Sequence, residues 1–167
     1  MVQIIYYNEL LDNFVEALKV ANTTTAAYDL STGLDERIKT ITRSDMDVAP
    51  TFKPSYPVVN LKLANKSEEI EGDIATQNYN KIVDVYLEIE CIYEAYSKAE
   101  DNLWRMITNI EAITRYNDAF MIYNANGFKI MYTLPRVAQF KHNYGKESAY
   151  NKSARIEILI RGHLKDS

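Results

Sequence analysis

A chain of 167 residues, 47% apolar and 25% charged with only five glycines and four prolines, is too apolar to stay disordered and long enough to bury a core, so one domain over residues 1–167 is expected. A single cysteine excludes an intrachain disulfide framework, and no apolar run reaches the ~20 residues of a membrane span. The net charge of −4 is unevenly spread: residues 1–127 hold 11 Lys/Arg against 20 Asp/Glu (−9), and residues 128–167 hold 8 against 3 (+5); the basic residues are scattered singly among strand-like segments, which suits a solvated face or a protein contact better than a nucleic-acid arm.

The first residues carry no basic region and soon meet Asn8 and Glu9, so no signal peptide is expected and the chain reads as cytoplasmic. Residues 3–21 have helical period, with Ile4, Leu11, Phe14, Val15 and Leu18 on one stripe and Glu9, Asp12, Glu16 and Lys19 off it. Asn22 and the three threonines after it end that helix, and Thr32-Gly33 signals a turn. Residues 34–43 read as a strand. Residues 44–57, with Pro50, Pro54 and Pro57, read as one long loop of the kind that often serves function or assembly.

Residues 58–63 alternate as a second strand, and the acidic residues 65–80 read as its connection to a third. That third strand, residues 81–93, is the clearest in the chain. Val83, Val85, Leu87, Ile89, Cys91 and Tyr93 form an apolar side, and Asp84, Glu88 and Glu90 mark the other. The period then becomes helical through Leu103, Met106, Ile107, Ile110 and Ile113, and Ser97 with Glu100 fits a capping box that starts the helix. Residues 119–123 and 128–133 flank Asn124-Ala125-Asn126-Gly127, whose Asn-Gly is a hairpin signal, with Pro135 expected to close the second arm. Residues 139–152 read as a loop. Residues 154–161 form a last half-buried strand with Ile156, Ile158 and Ile160 on one side, and residues 163–167 read as a frayed tail. The order α-β-β-β-α-β-β-β gives an α+β class: one mainly antiparallel sheet with the N-terminal and central helices packed on one face.

No catalytic motif is present. His142 and His163 have no second ligand at metal spacing, one cysteine cannot complete a zinc set, and no glycine-rich phosphate loop exists. The sequence therefore offers no catalytic, cofactor-binding or metal-ligating residue. Glu88 and Glu90 sit on one side of a strand, where a solvated or partner-facing role suits them better than acid–base work. Cys91 lies on the apolar side as a buried thiol. Trp104 and Tyr116 fit a core or core-edge place better than a base-stacking one. The thirteen tyrosines suit either interface surfaces or strands, and the composition does not choose.

The long acidic-faced strand 81–93, the helix 97–116, the Asn-Gly hairpin and the closing strand Ser153-Ala154-Arg155-Ile156-Glu157-Ile158-Leu159-Ile160 resemble the tail terminator (tail completion, head–tail joining) proteins of long-tailed bacteriophages. The leading helix and Tyr56-Pro57-Val58-Val59 after a proline loop share in that resemblance. It covers most of the chain as a layout and contains no diagnostic short motif. It implies a non-enzymatic virion protein of the neck, assembled in the host cytoplasm as a hexameric homo-oligomeric ring. The ring would cap the tail tube protein and meet a head-closure or connector protein, with DNA as passing cargo, no membrane and no cofactor. Two other readings stay open: a head-closure or connector protein, and a small ligand-binding or enzymatic α+β domain.

For a self-assembling chain, the candidate interface residues are Phe52 and Tyr56 of the proline loop, and Glu88, Glu90, Arg155 and Arg161 on two strands. The acids of one copy could face the arginines of the next, or all could lie side by side within one chain.

Overall fold

Apolar residues at helical spacing bury Leu10, Leu11, Phe14, Val15, Leu18 and Ala21 along one side of α1 (Tyr7–Ala21), and leave Asp12, Glu16 and Lys19 in water. The structure is a computed structural model that describes residues 7–43, 54–73, 78–94, 98–116, 124–125, 128–141 and 151–165. Ile4, Phe52, Ser97, the hairpin arm 119–123 and His142 lie outside them, as does most of the 44–57 loop. The described elements continue as β1 (Thr40–Thr42), β2 (Val58–Asp73), β3 (Asn78–Glu94), α2 (Ala99–Tyr116), β4 (Asn124–Ala125), β5 (Phe128–Lys141) and β6 (Asn151–Lys165), in the expected α-β-β-β-α-β-β-β order.

The six strands make one sheet in the order β1-β2-β3-β6-β5-β4. All neighbours are antiparallel except β1 and β2, which run parallel, so the α+β class holds with a mixed, mainly antiparallel sheet. Helix α1 lies against β1 and β2, and α2 against β3, β6 and β5. Their buried stripes join one core with Val59, Leu61, Val83, Val85, Leu87, Ile89, Cys91, Ile156, Ile158 and Ile160. Both helices therefore cover the same face of the sheet, as the alternation in β3 requires.

Several boundaries differ from the sequence reading: Asn124 and Ala125, expected within the hairpin turn, form β4, and residues 139–141 and 151–152 of the expected loop belong to β5 and β6. Only residues 40–42 of the expected 34–43 strand pair with the sheet, because side chains take the backbone groups before them. Ser31 Oγ accepts from Ile38 N–H at 3.0 Å, Asn22 Nδ2 donates to Ile38 C=O at 2.9 Å, and Asn102 Oδ1 accepts from Asp35 N–H at 3.0 Å. The acidic segment 65–73 is not a connection but the continuation of β2, paired with β3 out to Asp73↔Asn78. Its charge keeps it out of the core, yet an edge strand can pair its backbone while residues 63–70 stay exposed. Strand β5 runs through Pro135 to Lys141 instead of closing there. Past Lys129 it is an edge among the described residues, and its register shifts at Ile130/Tyr132 and Pro135/Val137, the settings in which a strand tolerates proline. The expected tail at His163 is strand as well: β6 extends to Lys165 between β3 and β5, with Leu164 buried.

Helix α2 begins at Ala99 after Lys98 at φ +75°, and Lys98 C=O accepts the first helical bond from Asn102 N–H at 3.0 Å. Trp104 is 45% exposed, a correction to its expected place in the core or at its edge; it falls off the Leu103–Met106–Ile107–Ile110 stripe. The chain between α1 and β1 is pinned to α2 by Asn109 Nδ2, which donates to Leu30 C=O and Thr32 C=O, both at 2.9 Å. Gly33, at φ +73°, makes the turn there beneath the Arg105 side chain.

Candidate interaction surface

Strand alternation puts a second set of residues on the face opposite the helices. Reading across β2, β3, β6 and β5, its rows include Asn60–Glu90–Arg155–Gln139, Asn65–Tyr86–Leu159–Leu134 and Ser67–Asp84–Arg161–Tyr132. Among the described residues, no helix lies over it.

Cross-strand ion pairs organise this face. Arg161 holds Asp84 in a two-pronged contact, Nε to Oδ1 and Nη2 to Oδ2, both at 2.6 Å, with the Asp84 side chain only 8% exposed. That bond raises the Arg161 pKa further above its ordinary value. Arg155 reaches Glu88 at 3.2 Å and Arg136 reaches Glu157 at 3.9 Å. The same arginines lie over rings: Arg161 is 6.0 Å from the centre of Tyr132, and Arg136 is 5.5 Å from that of Tyr86. Beside these pairs, the Asn60 amide, Ser153 Oγ and Arg155 Nε are buried with no hydrogen-bond partner among the described residues.

The candidate interface residues thus fall into three places. Glu88, Glu90 and Arg155 come together, since Glu90 is directly opposite Arg155 and Glu88 pairs with it diagonally. Arg161 lies farther along β6 with Asp84. Tyr56 is half-buried at the other end of the sheet, just before β2; nearby, Pro57 C=O accepts from Lys39 N–H and Thr40 N–H, and Ser55 is clasped by Thr40 Oγ1. Of the two arrangements left open by the sequence, the side-by-side one within a single chain is the one the fold builds for Glu88–Arg155. Asp84, Tyr86, Tyr132 and Arg136 were missed because their partnerships depend on register, which alternation alone does not give.

The remaining titratable groups of note are structural. Asp29 has its pKa lowered, chiefly by the Arg37 guanidinium that donates to both carboxylate oxygens at 2.9 Å. Burial pushes the Cys91 thiol up, which keeps it protonated and inert toward thiolate chemistry at neutral pH. Among the described residues, no group of three or more His, Cys, Asp or Glu is placed to hold a metal ion, and no helix is long and apolar enough to cross a membrane. No family model matches this chain, and no curated protein sequence matches it.

Proposed function

We propose that this chain is a structural protein of a long-tailed bacteriophage neck, a tail terminator whose copies form a ring that caps the tail tube and joins tail to head. The observation that carries the reading is the layout: a leading helix, a long acidic-faced strand running into a central helix, a hairpin and a closing strand, with both helices on one face of the sheet. The other face supports it, because it spends its charged groups on cross-strand pairs and aromatic contacts that make a firm surface rather than a reactive cleft. A head-closure or connector protein is the neighbouring reading within the same class.

Size-exclusion chromatography with light scattering, followed by electron microscopy with isolated tail tubes, tests the proposal. The expected result is a ring in solution, or a monomer that assembles at one end of the tubes. A protein that stays monomeric alone and with tubes, or that carries a stoichiometric small molecule through purification, would overturn it.

A further inference from the structure

We propose that two copies of this chain stack through their helix-free sheet faces, related by a two-fold axis that runs along the strands between β3 and β6. The contact goes beyond the ring reading and does not depend on it, since two free copies, or facing copies of two rings, can make it. The charge of this face is split along that same line. Among the side chains described between the Asn60 and Glu69 rows, the β2–β3 half holds Glu69, Asp84, Glu88 and Glu90 against Lys62. The β6–β5 half holds Arg136, Arg155 and Arg161 against Glu157. One half of the face is therefore acidic and the other basic.

A two-fold rotation about the dividing line lays each half on the opposite half of the second copy. It keeps heights along the strands, so β3 comes over β6 of the second copy in the register that already relates them within one chain. Asp84 then faces Arg161 of the second copy, and Glu90 faces Arg155 of the second copy. Each in-chain pair becomes half of a square of alternating charges. Between those rows Tyr86 faces Leu159 of the second copy. Tyr132 and Leu134, 37% and 45% exposed, add apolar surface beside them. The like pair that results, Glu88 over Glu157, joins carboxylates already held by Arg155 and Arg136 of their own chains.

The split selects this occupant and this axis. A two-fold axis across the strands would set the acidic half on the acidic half and the basic on the basic. A partner of one sign, such as a nucleic acid, would be repelled by half of the face. A second copy turned about the dividing line is complementary on both halves, which is the self-complementarity an isologous contact requires. Strand directions in the two sheets stay aligned, the common arrangement for sheets stacked about 10 Å apart. Four strands about 4.8 Å apart and five rows about 6.8 Å apart span about 600 Å² a copy, so the stack buries about 1,200 Å², the low end for a specific interface.

Cross-linking with a short bis-maleimide tests the axis, because the native Cys91 is buried and silent. Glu157→Cys lies on β6 beside the axis and should link to its own kind. Ser67→Cys and Tyr132→Cys, on the outer strands of one row, should link to each other and not to themselves. Lys19→Cys, on the outer side of α1, should not link. Sedimentation of wild-type protein should show a dimer that dissociates as salt rises. Ser67→Cys linking to itself, a Glu157→Cys link no stronger than that of Lys19→Cys, or a dimer indifferent to salt would each overturn the stack. Rings that form without the Glu157→Cys link overturn the stack and leave the ring reading standing. Linked dimers that form no ring, alone or on tubes, do the reverse.

Discussion

On the helix-covered face, Val85, Leu87 and Ile89 of β3 meet Ile160, Ile158 and Ile156 of β6, and all six are fully buried. One residue along the same two strands, Asp84 meets Arg161 and Glu90 stands opposite Arg155. The first face is held by area removed from water, about 1.5–3 kcal/mol per large side chain, and needs no particular partner beyond good packing. The second is held by directional pairs that exist only in one register. A strand slip of one residue would expose the first face and bury charges on the other, so the two faces fix the same register by independent means.

The largest effect should come from the covered face. Leu87→Ala removes a fully buried side chain beneath α2 and should lower unfolding free energy by about 2–5 kcal/mol, read from urea midpoints with an unchanged slope. A loss under 1 kcal/mol would mean that the helix layer collapses onto the gap.

Next is the Asp84–Arg161 pair. Arg161→Ala leaves a nearly buried carboxylate without its two-pronged partner and strips a cation from Tyr132, so a loss of about 2–3 kcal/mol is expected. The double variant Asp84→Leu/Arg161→Leu should recover most of that loss, because an apolar pair has no stranded charge. If the double variant is as unstable as the single one, the pair supplies more than mutual neutralisation.

A smaller change of opposite sign is expected at Asn60. Its amide is buried on the helix-free face with neither atom hydrogen-bonded among the described residues, and Asn60→Leu replaces it with an apolar side chain of similar shape. Thermal unfolding should show a gain of about 1 kcal/mol. A loss would show that Asn60 is satisfied in solution by a bound water or a neighbouring copy.

The covered face was legible in the sequence because apolar alternation names its residues without naming their partners. Val83 through Tyr93, Ile156 through Ile160 and the α2 stripe all landed as read. The strand ends were not legible. Acidic residues 65–73 and polar residues 139–141 look like loop because composition reports burial, and edge strands need none. Pro135 looks like a stop because a central strand could not hold it, whereas an edge strand with a bulge can. On the helix-free face, Glu88, Glu90, Arg155 and Arg161 were visible as charged, but Asp84 as the partner of Arg161 follows only from β3–β6 register.

That register yields the smallest and most discriminating effect. Glu88 and Arg155 are partly exposed, at 28% and 34% of their side chains, so their pairing contributes about 0.2–1 kcal/mol. Arg155→Glu alone should cost more than that, since it sets four carboxylates, Glu88, Glu90, Glu157 and the new one, on adjacent rows. Adding Glu88→Arg in the same chain restores an opposite pair and should recover about half the loss, read as a denaturant midpoint of isolated monomer. Mixing the two single variants as separate chains should recover none, because the partner is 3.2 Å away within one molecule. Recovery on mixing, with none in the doubly changed chain, would place these groups between copies. It would also set a Glu88–Arg155 junction between copies at the middle of the helix-free face, where β3 and β6 pair with one another.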